Sequence, residues 1–242
     1  MHETLCKVYY QYLIELTTMS NFGDIFKMRV WALVRNIFSL IFGPSERVTE
    51  YRFVNKNLES EIKRVLDIGG ANSNLAISLS KKGLLVDVID VRKYSYKHKN
   101  LGVIKGDLIE HVFNHRYDGV VLVSTIEHIG LCVYGDPEYE DGDFKALDKV
   151  FQLLENEGVC MLTTHYVDIH HVKNGVRFYD EERLTELVKR FEVIKEEYYV
   201  PTRKILDYPL NWIRINKNEV LKKINREIND YALVCLILKK GS

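Results

Sequence analysis

From residue 61 onward, short apolar runs alternate with amphipathic stretches, and that alternation is what most restricts the fold. Strands are expected at Arg64–Ile68, Leu84–Asp90, Leu101–Lys105, Tyr117–Val123, Val159–His165, Phe191–Val200 and Tyr231–Leu238. Helical spacing occupies Asn72–Lys82, closed by Gly83, then Asp143–Glu155, then a stretch capped by Asp180 and running to Arg190. Apolar runs of strand length separated by amphipathic helices point to βαβ units and a mostly parallel sheet covered on both faces. The expected class is therefore a doubly wound α/β fold of about seven strands.

The preceding segment has a different texture. Residues 1–58 read as a helical cap, and 59–242 as the main domain with an insertion at about 201–229, rich in Lys, Asn and Ile. Leu5, Val8, Tyr9, Tyr12, Leu13 and Leu16 recur at helical spacing, and a second helix follows Asn21 and Asp24 toward Gly43-Pro44. Its segment 30–42 is strongly apolar but shorter than the roughly 20 residues a membrane span needs. That stretch is expected to pack on the main domain or on a second copy in a homodimer. Alternatively it lies on a membrane surface, with Lys27, Arg29 and Arg35 facing phosphates.

Charge narrows the partners. Lys+Arg and Asp+Glu both number 34, so there is no basic excess of the kind nucleic-acid binding favours. A small molecule or glycan is the expected partner, and nucleic acid is not. The four cysteines, Cys6, Cys132, Cys160 and Cys235, lack paired metal-site spacing and suggest no disulfide framework. With no signal-peptide pattern at the N-terminus, the expected location is the cytoplasm.

The chemistry is concentrated at the ends of the first four strands. Val65-Leu66-Asp67-Ile68-Gly69-Gly70-Ala71-Asn72-Ser73 reads as strand, glycine turn and helix start, where small residues let a ligand approach the backbone. A dinucleotide would favour G-x-G-x-x-G, but Ala71 and Asn74 stand at the later glycine positions. Asp67 instead suits a ligand whose amino-acid tail needs a carboxylate near its ammonium. Asp90 ends the second strand about 20 residues after Gly69, where an acid can accept two hydrogen bonds from a ribose diol.

Those residues resemble the first motifs of class I S-adenosylmethionine-dependent methyltransferases, usually written Asp-x-Gly-x-Gly-x-Gly, with Ala71 and Ser73 replacing the later glycines. A longer stretch, Ser124-Thr125-Ile126-Glu127-His128-Ile129-Gly130-Leu131 continuing to Tyr134-Gly135-Asp136, resembles a glycan and small-molecule subgroup of the same enzymes. The resemblance runs from about Thr49 to about Tyr199. It takes in Glu50-Tyr51 before the first strand and Arg177-Phe178-Tyr179-Asp180 after the fifth. It implies a Rossmann-like sheet with its last strand antiparallel and S-adenosylmethionine as cofactor. It further implies cofactor contacts from Asp67, Gly69, Gly70, Ala71, Asp90, Val91, Asp107, Leu108, Ser124 and Thr125, with Asp107 near the adenine amino group.

The implied reaction is methyl transfer to a hydroxyl of a small molecule or glycan. His128 is then the candidate general base, with Glu127 orienting it or holding substrate. Tyr134, His165, Arg177 and Tyr179 are the expected acceptor contacts. Three alternatives remain open at this point. Glu127 and His128 can be structural. An RNA 2′-O-methyltransferase would bind metal through Glu127, His128 and His165, but Ser124 replaces a required acid and no metal is expected. A non-catalytic cofactor-binding partner subunit is the third.

Overall fold

The computed structural model describes residues 43–71, 73–205, 208–224 and 228–241. The expected helices before Gly43, and with them segment 30–42, lie outside the described residues. Five parallel strands follow chain order: β1 (Arg64–Ile68), β2 (Leu85–Asp90), β3 (Leu101–Lys105), β4 (Tyr117–Val123) and β5 (Leu154–Tyr166). A two-stranded ribbon, β6 (His171–Lys173) and β7 (Val176–Phe178), stands apart from them. Then come β8 (Glu192–Ile205), β9 (Tyr208–Ile215) and β10 (Ala232–Lys239). The main sheet has eight strands in the order β3-β2-β1-β4-β5-β10-β8-β9.

The last strand is antiparallel, as expected: β10 inserts between β5 and β8 and runs against both. The sheet has eight strands where the sequence suggests seven, because the late insertion is partly strand. β8 continues to Ile205 and turns back as β9, pairing Tyr198 with Ile215 and Ile205 with Tyr208. Lys, Arg and Asn residues scattered through this hairpin blur the apolar alternation. An edge strand needs only one dry face, which is why such a pattern still forms one.

Among the described residues, two helices cover one face and three the other. On one side are α1 (Glu46–Asn57) and α2 (Leu75–Lys81). Val54 of α1 and Leu75, Ala76 and Leu79 of α2 pack with Val65, Val86, Val88, Val121 and Met161 of the sheet. Phe53 of α1 joins Trp212, Leu233, Cys235 and Ile237 farther along the same face. So α1, which falls within the expected 1–58 cap, packs directly on the sheet. On the other face are α3 (Gly142–Leu153), α4 (Glu181–Val188) and the short α5 (Val220–Lys223). There Leu147, Val150, Leu184, Leu187 and Val220 meet Leu66, Val120, Leu122, Leu162, Val234 and Leu236.

No helix follows β2. Buried Tyr94 and Tyr96 fill the space instead, and the Tyr94 hydroxyl accepts a hydrogen bond from the Ile77 amide at 3.3 Å. Among the described residues, no helix is long and apolar enough to cross a membrane.

The order places β1 beside β4, where the chain reverses its direction of travel across the sheet. Loops after the two strands diverge there, and ligands of open α/β sheets bind in the resulting crevice.

Candidate functional site

A cleft of about 350 Å³ opens at that crevice. Asp67, Ile68 and Gly69 from the end of β1, Asp90 and Val91 after β2, Asp107 and Leu108 after β3, and Val123, Ser124 and Thr125 after β4 line one part of it. Glu46, Arg47 and Glu50 of α1, with Glu127, His128, Tyr134 and His165, line the rest.

The first part is tightly determined. Gly69 has φ of 77°, a left-handed conformation that costs other residues about 1–2 kcal/mol. A side chain there would also strike Thr125, since a Cβ would lie 2.4 Å from its Cγ2. The Thr125 hydroxyl faces two carbonyls, of Ile68 and Val123, each at 3.1 Å, so the turn after β1 and the end of β4 are joined directly. Asp67 is buried, and burial pushes its carboxyl up to about 7 against the amide of Ala76, which favours the ionised form. Its Oδ2 has no hydrogen-bond partner.

Asp90 is occupied. It accepts the Ala71 amide at 2.8 Å and a two-point contact from the Arg92 guanidinium, Nε and Nη2 each at 3.0 Å. Arg92 also lies 4.0 Å from the centre of the Tyr134 ring, a cation–π contact across the mouth of the cleft. Asp107 accepts the amides of Ile109 and Glu110 and the Tyr139 hydroxyl, all on Oδ1.

In the second part, acids meet a smaller set of cations. His165 Nε2 bonds Glu46 at 3.1 Å, and Tyr231 donates to the same carboxylate at 2.7 Å. Burial opposes charge on His165, but the bond and charge of Glu46 outweigh it and carry the imidazole up to about 9. Glu50 accepts the hydroxyls of Ser124 and, at 2.6 Å, Thr163, and lies 3.4 Å from Arg47. Burial nevertheless raises the Glu50 carboxyl above the usual range. Glu127 is fully buried and accepts only Thr164, at 3.3 Å. Beside it, His128 Nδ1 lies 2.9 Å from the Gly175 carbonyl. A carbonyl only accepts, so Nδ1 carries the proton and the neutral ring keeps its lone pair on Nε2.

Most residues expected from the sequence converge on the cleft: Asp67, Gly69, Asp90, Val91, Asp107, Leu108, Ser124, Thr125, Glu127, His128, Tyr134 and His165. Four do not line it. Gly70 sits against β2, where a Cβ would lie 2.4 Å from Val88. Ala71 is buried and gives its amide to Asp90. Arg177, only 5% exposed, donates to the Ile129 carbonyl at 2.7 Å and approaches Asp143. Tyr179 is fully buried, its hydroxyl 3.5 Å from the Ile126 carbonyl. Arg177 and Tyr179 therefore brace the loop after β4 from beneath, and the expectation that they touch an acceptor is corrected. Although Glu127, His128 and His165 share the cleft, no three metal-ligating side chains among the described residues are grouped to hold an ion.

The sequence reading did not pick out Glu46, Arg47, Arg92 or Asp136 as site residues. A signal for the first was present. Glu46 and Glu50 are four apart, hence on one helix face, and Phe53 and Val54 continue toward the buried side. Charges leading into an apolar helix face suggest a buried polar site.

Solved structures share this fold. The Burkholderia thailandensis 1,6-didemethyltoxoflavin-N1-methyltransferase, solved with 1,6-didemethyltoxoflavin and S-adenosylhomocysteine, is 13% identical, with a TM-score of 0.58 over 88% of this chain and 90% of that one. The N-methyltransferase NodS of Bradyrhizobium japonicum, with S-adenosylhomocysteine, is 12% identical, with a TM-score of 0.53 over 81% and 87%. The [4+2]-cyclase SpnF is 12% identical, with a TM-score of 0.55 over 81% and 80%. At such identity the likeness is one of fold, and the cyclase among the neighbours shows that the fold alone does not choose the reaction. No curated protein matches the sequence. Residues 82–234, well over half of the chain, match the family described as Caenorhabditis protein of unknown function, DUF268, and the chain belongs to that family.

Proposed function

We propose that this protein is an S-adenosylmethionine-dependent methyltransferase acting on a small molecule. One observation carries the reading. The cleft opens at the β1/β4 reversal, over a left-handed Gly69 pressed against Thr125, with the acids of β2 and β3 on its flank. The residues present fit the cofactor. Gly69 leaves the backbone approachable, and the acid at Asp67 suits an ammonium. Asp90 ends β2 where a ribose diol would sit, once Arg92 gives up its two bonds. The cofactor's positive charges also suit the lining, where Glu46, Glu50, Asp67, Asp90, Asp107, Glu127 and Asp136 face only Arg47 and Arg92 among the arginines and lysines. A lining this acidic disfavours a nucleic-acid phosphate backbone, which supports a small-molecule acceptor over RNA.

When bound, the cofactor supplies an electrophilic methyl on a sulfonium, so the protein's main task is alignment. The finer reading is transfer to an oxygen. His128 Nε2 would take up the proton of the acceptor hydroxyl as that oxygen is methylated. Gly175 fixes the tautomer that makes this possible.

Calorimetric titration with S-adenosylhomocysteine, with NAD as the control ligand, tests the reading. Micromolar binding is expected for wild type, and loss of at least about tenfold in Asp90→Ala. A folded wild type that binds NAD, or that ignores S-adenosylhomocysteine, would overturn it.

A further inference from the structure

We infer that the acceptor carries a protonated amine, and that this group seats on Glu127. The inference rests on the methyltransferase reading for the word acceptor, but the site stands on its own geometry.

Among the described charges in the part of the cleft lined by α1, Glu127 and His165, all but one pair off. Glu46 has His165 and Tyr231. Glu50 has Arg47 at 3.4 Å, besides the hydroxyls of Ser124 and Thr163. Arg47 spends a further bond on the Val123 carbonyl at 3.1 Å. Glu127 remains. It is 0% exposed, and among the described residues its Oε2 has the Thr164 hydroxyl alone. Its Oε1 is buried with no hydrogen-bond partner. Among the described residues no Lys, Arg or His forms an ion pair with it. The field of Glu127 does reach Arg47 and His165, but each already holds another carboxylate.

A buried carboxylate with one oxygen unpartnered and no ion pair is costly, so proteins keep one where something else completes it. Arg177 does not. Its amide hydrogen-bonds the Glu127 backbone carbonyl, and its guanidinium reaches past to Ile129. Glu127 lines the cleft, and the missing partner must enter from there. It has to supply at least one N–H or O–H donor, and a positive charge balances the acid as well. An ammonium does both in one compact group, and several donors can reach Oε1 and Oε2 together. His128 and Tyr134, 5.3 Å apart ring to ring, border the same space and offer a surface for the rest of the molecule. A neutral polyol would hydrogen-bond Glu127 but leave its charge in place. An anionic acceptor would be repelled.

The test uses the whole chain and two probes of equal shape, phenethylamine and 2-phenylethanol, each titrated with and without saturating S-adenosylhomocysteine. Phenethylamine is expected to bind at least about tenfold more tightly than the alcohol, because a charge pair within a dry site is lost with the alcohol. In Glu127→Gln that preference should vanish. The free Glu127→Gln protein should also melt at a higher temperature than wild type, since an unpaired buried charge has been removed. Equal binding of the two probes to wild type, or no binding of the amine, overturns the inference whether or not the variant folds. Amine preference without S-adenosylhomocysteine binding would retain the amine site and overturn the methyltransferase reading. The converse would overturn the amine site alone.

Discussion

Replacing Arg177 by Ala separates a bracing residue from a substrate-binding one. The side chain is almost fully buried and makes one short, charge-assisted bond, from Nη1 to the Ile129 carbonyl at 2.7 Å. Its contact with Asp143 is longer, 3.8 Å, and Asp143 keeps Arg183 Nη2 at 2.9 Å in any case. The ion pair therefore adds little, and the loss is mainly the bond to Ile129 and the packing of the arginine stem. A hydrogen bond to a charged group contributes roughly 1.5–3 kcal/mol, and the stem adds to it, giving a loss of about 2–4 kcal/mol. For a chain of this size that lowers Tm by about 5–15 °C. Urea unfolding followed by circular dichroism should show the midpoint fall with an unchanged slope. Arg177→Met keeps the stem and should recover part of the loss. If Arg177→Ala is as stable as wild type, the bracing argument is wrong.

The Asp67 carboxyl titrates near 7 when folded and near 3.8 when unfolded, so the folded state holds its proton more strongly. Its contribution is therefore complete at low pH and lost as pH rises from about 4 to 7, by roughly 4 kcal/mol. Asp67→Asn should flatten that part of the stability–pH curve measured by urea unfolding. A curve unchanged by the substitution would place the titration elsewhere. Gly69→Ala meets both a left-handed backbone and Thr125, and is expected to abolish S-adenosylhomocysteine binding in calorimetry while lowering Tm. Adding Thr125→Ser to it removes the nearest clashing atom, the Cγ2 methyl, and should restore part of the Tm.

How far the sequence can be read depends on how local the deciding interactions are. β1, β2, β4 and β10 are nearly continuous apolar runs, the pattern of strands buried on both faces, and they stand within a residue of their expected bounds. Asp180 caps α4 as expected, accepting the Arg183 amide at 2.9 Å. The β6–β7 ribbon had a local signal too. Asn174 and Gly175 both have positive φ, 53° and 74°, and form an Asn-Gly turn between two short strands. Two strands of three residues each carry too little apolar pattern to draw attention. β9 stayed hidden because an edge strand tolerates polar residues on its open side. The strand-end half of the cleft was legible because each residue sits at a strand end in a recognisable order. The Glu46–Glu50 wall was not, because its meaning comes from Thr163, His165 and Tyr231, far along the chain. Arg177 and Tyr179 show the reverse error. Position after β5 suggested ligand contact, and burial gave them to the core.

That wall has a consequence for the order in which the molecule becomes competent. Contacts of the strand-end half close within about 60 residues, as in Ala71 to Asp90 and Thr125 to Ile68. The acid wall closes over far longer loops: 113 residues from Glu50 to Thr163, 119 from Glu46 to His165 and 185 from Glu46 to Tyr231. Long-range contacts of this kind form slowly and late, because the intervening chain must be ordered first. A chain emerging from the ribosome can thus complete its glycine turn well before its acid wall is assembled. The acid wall is complete only when Tyr231 has reached Glu46.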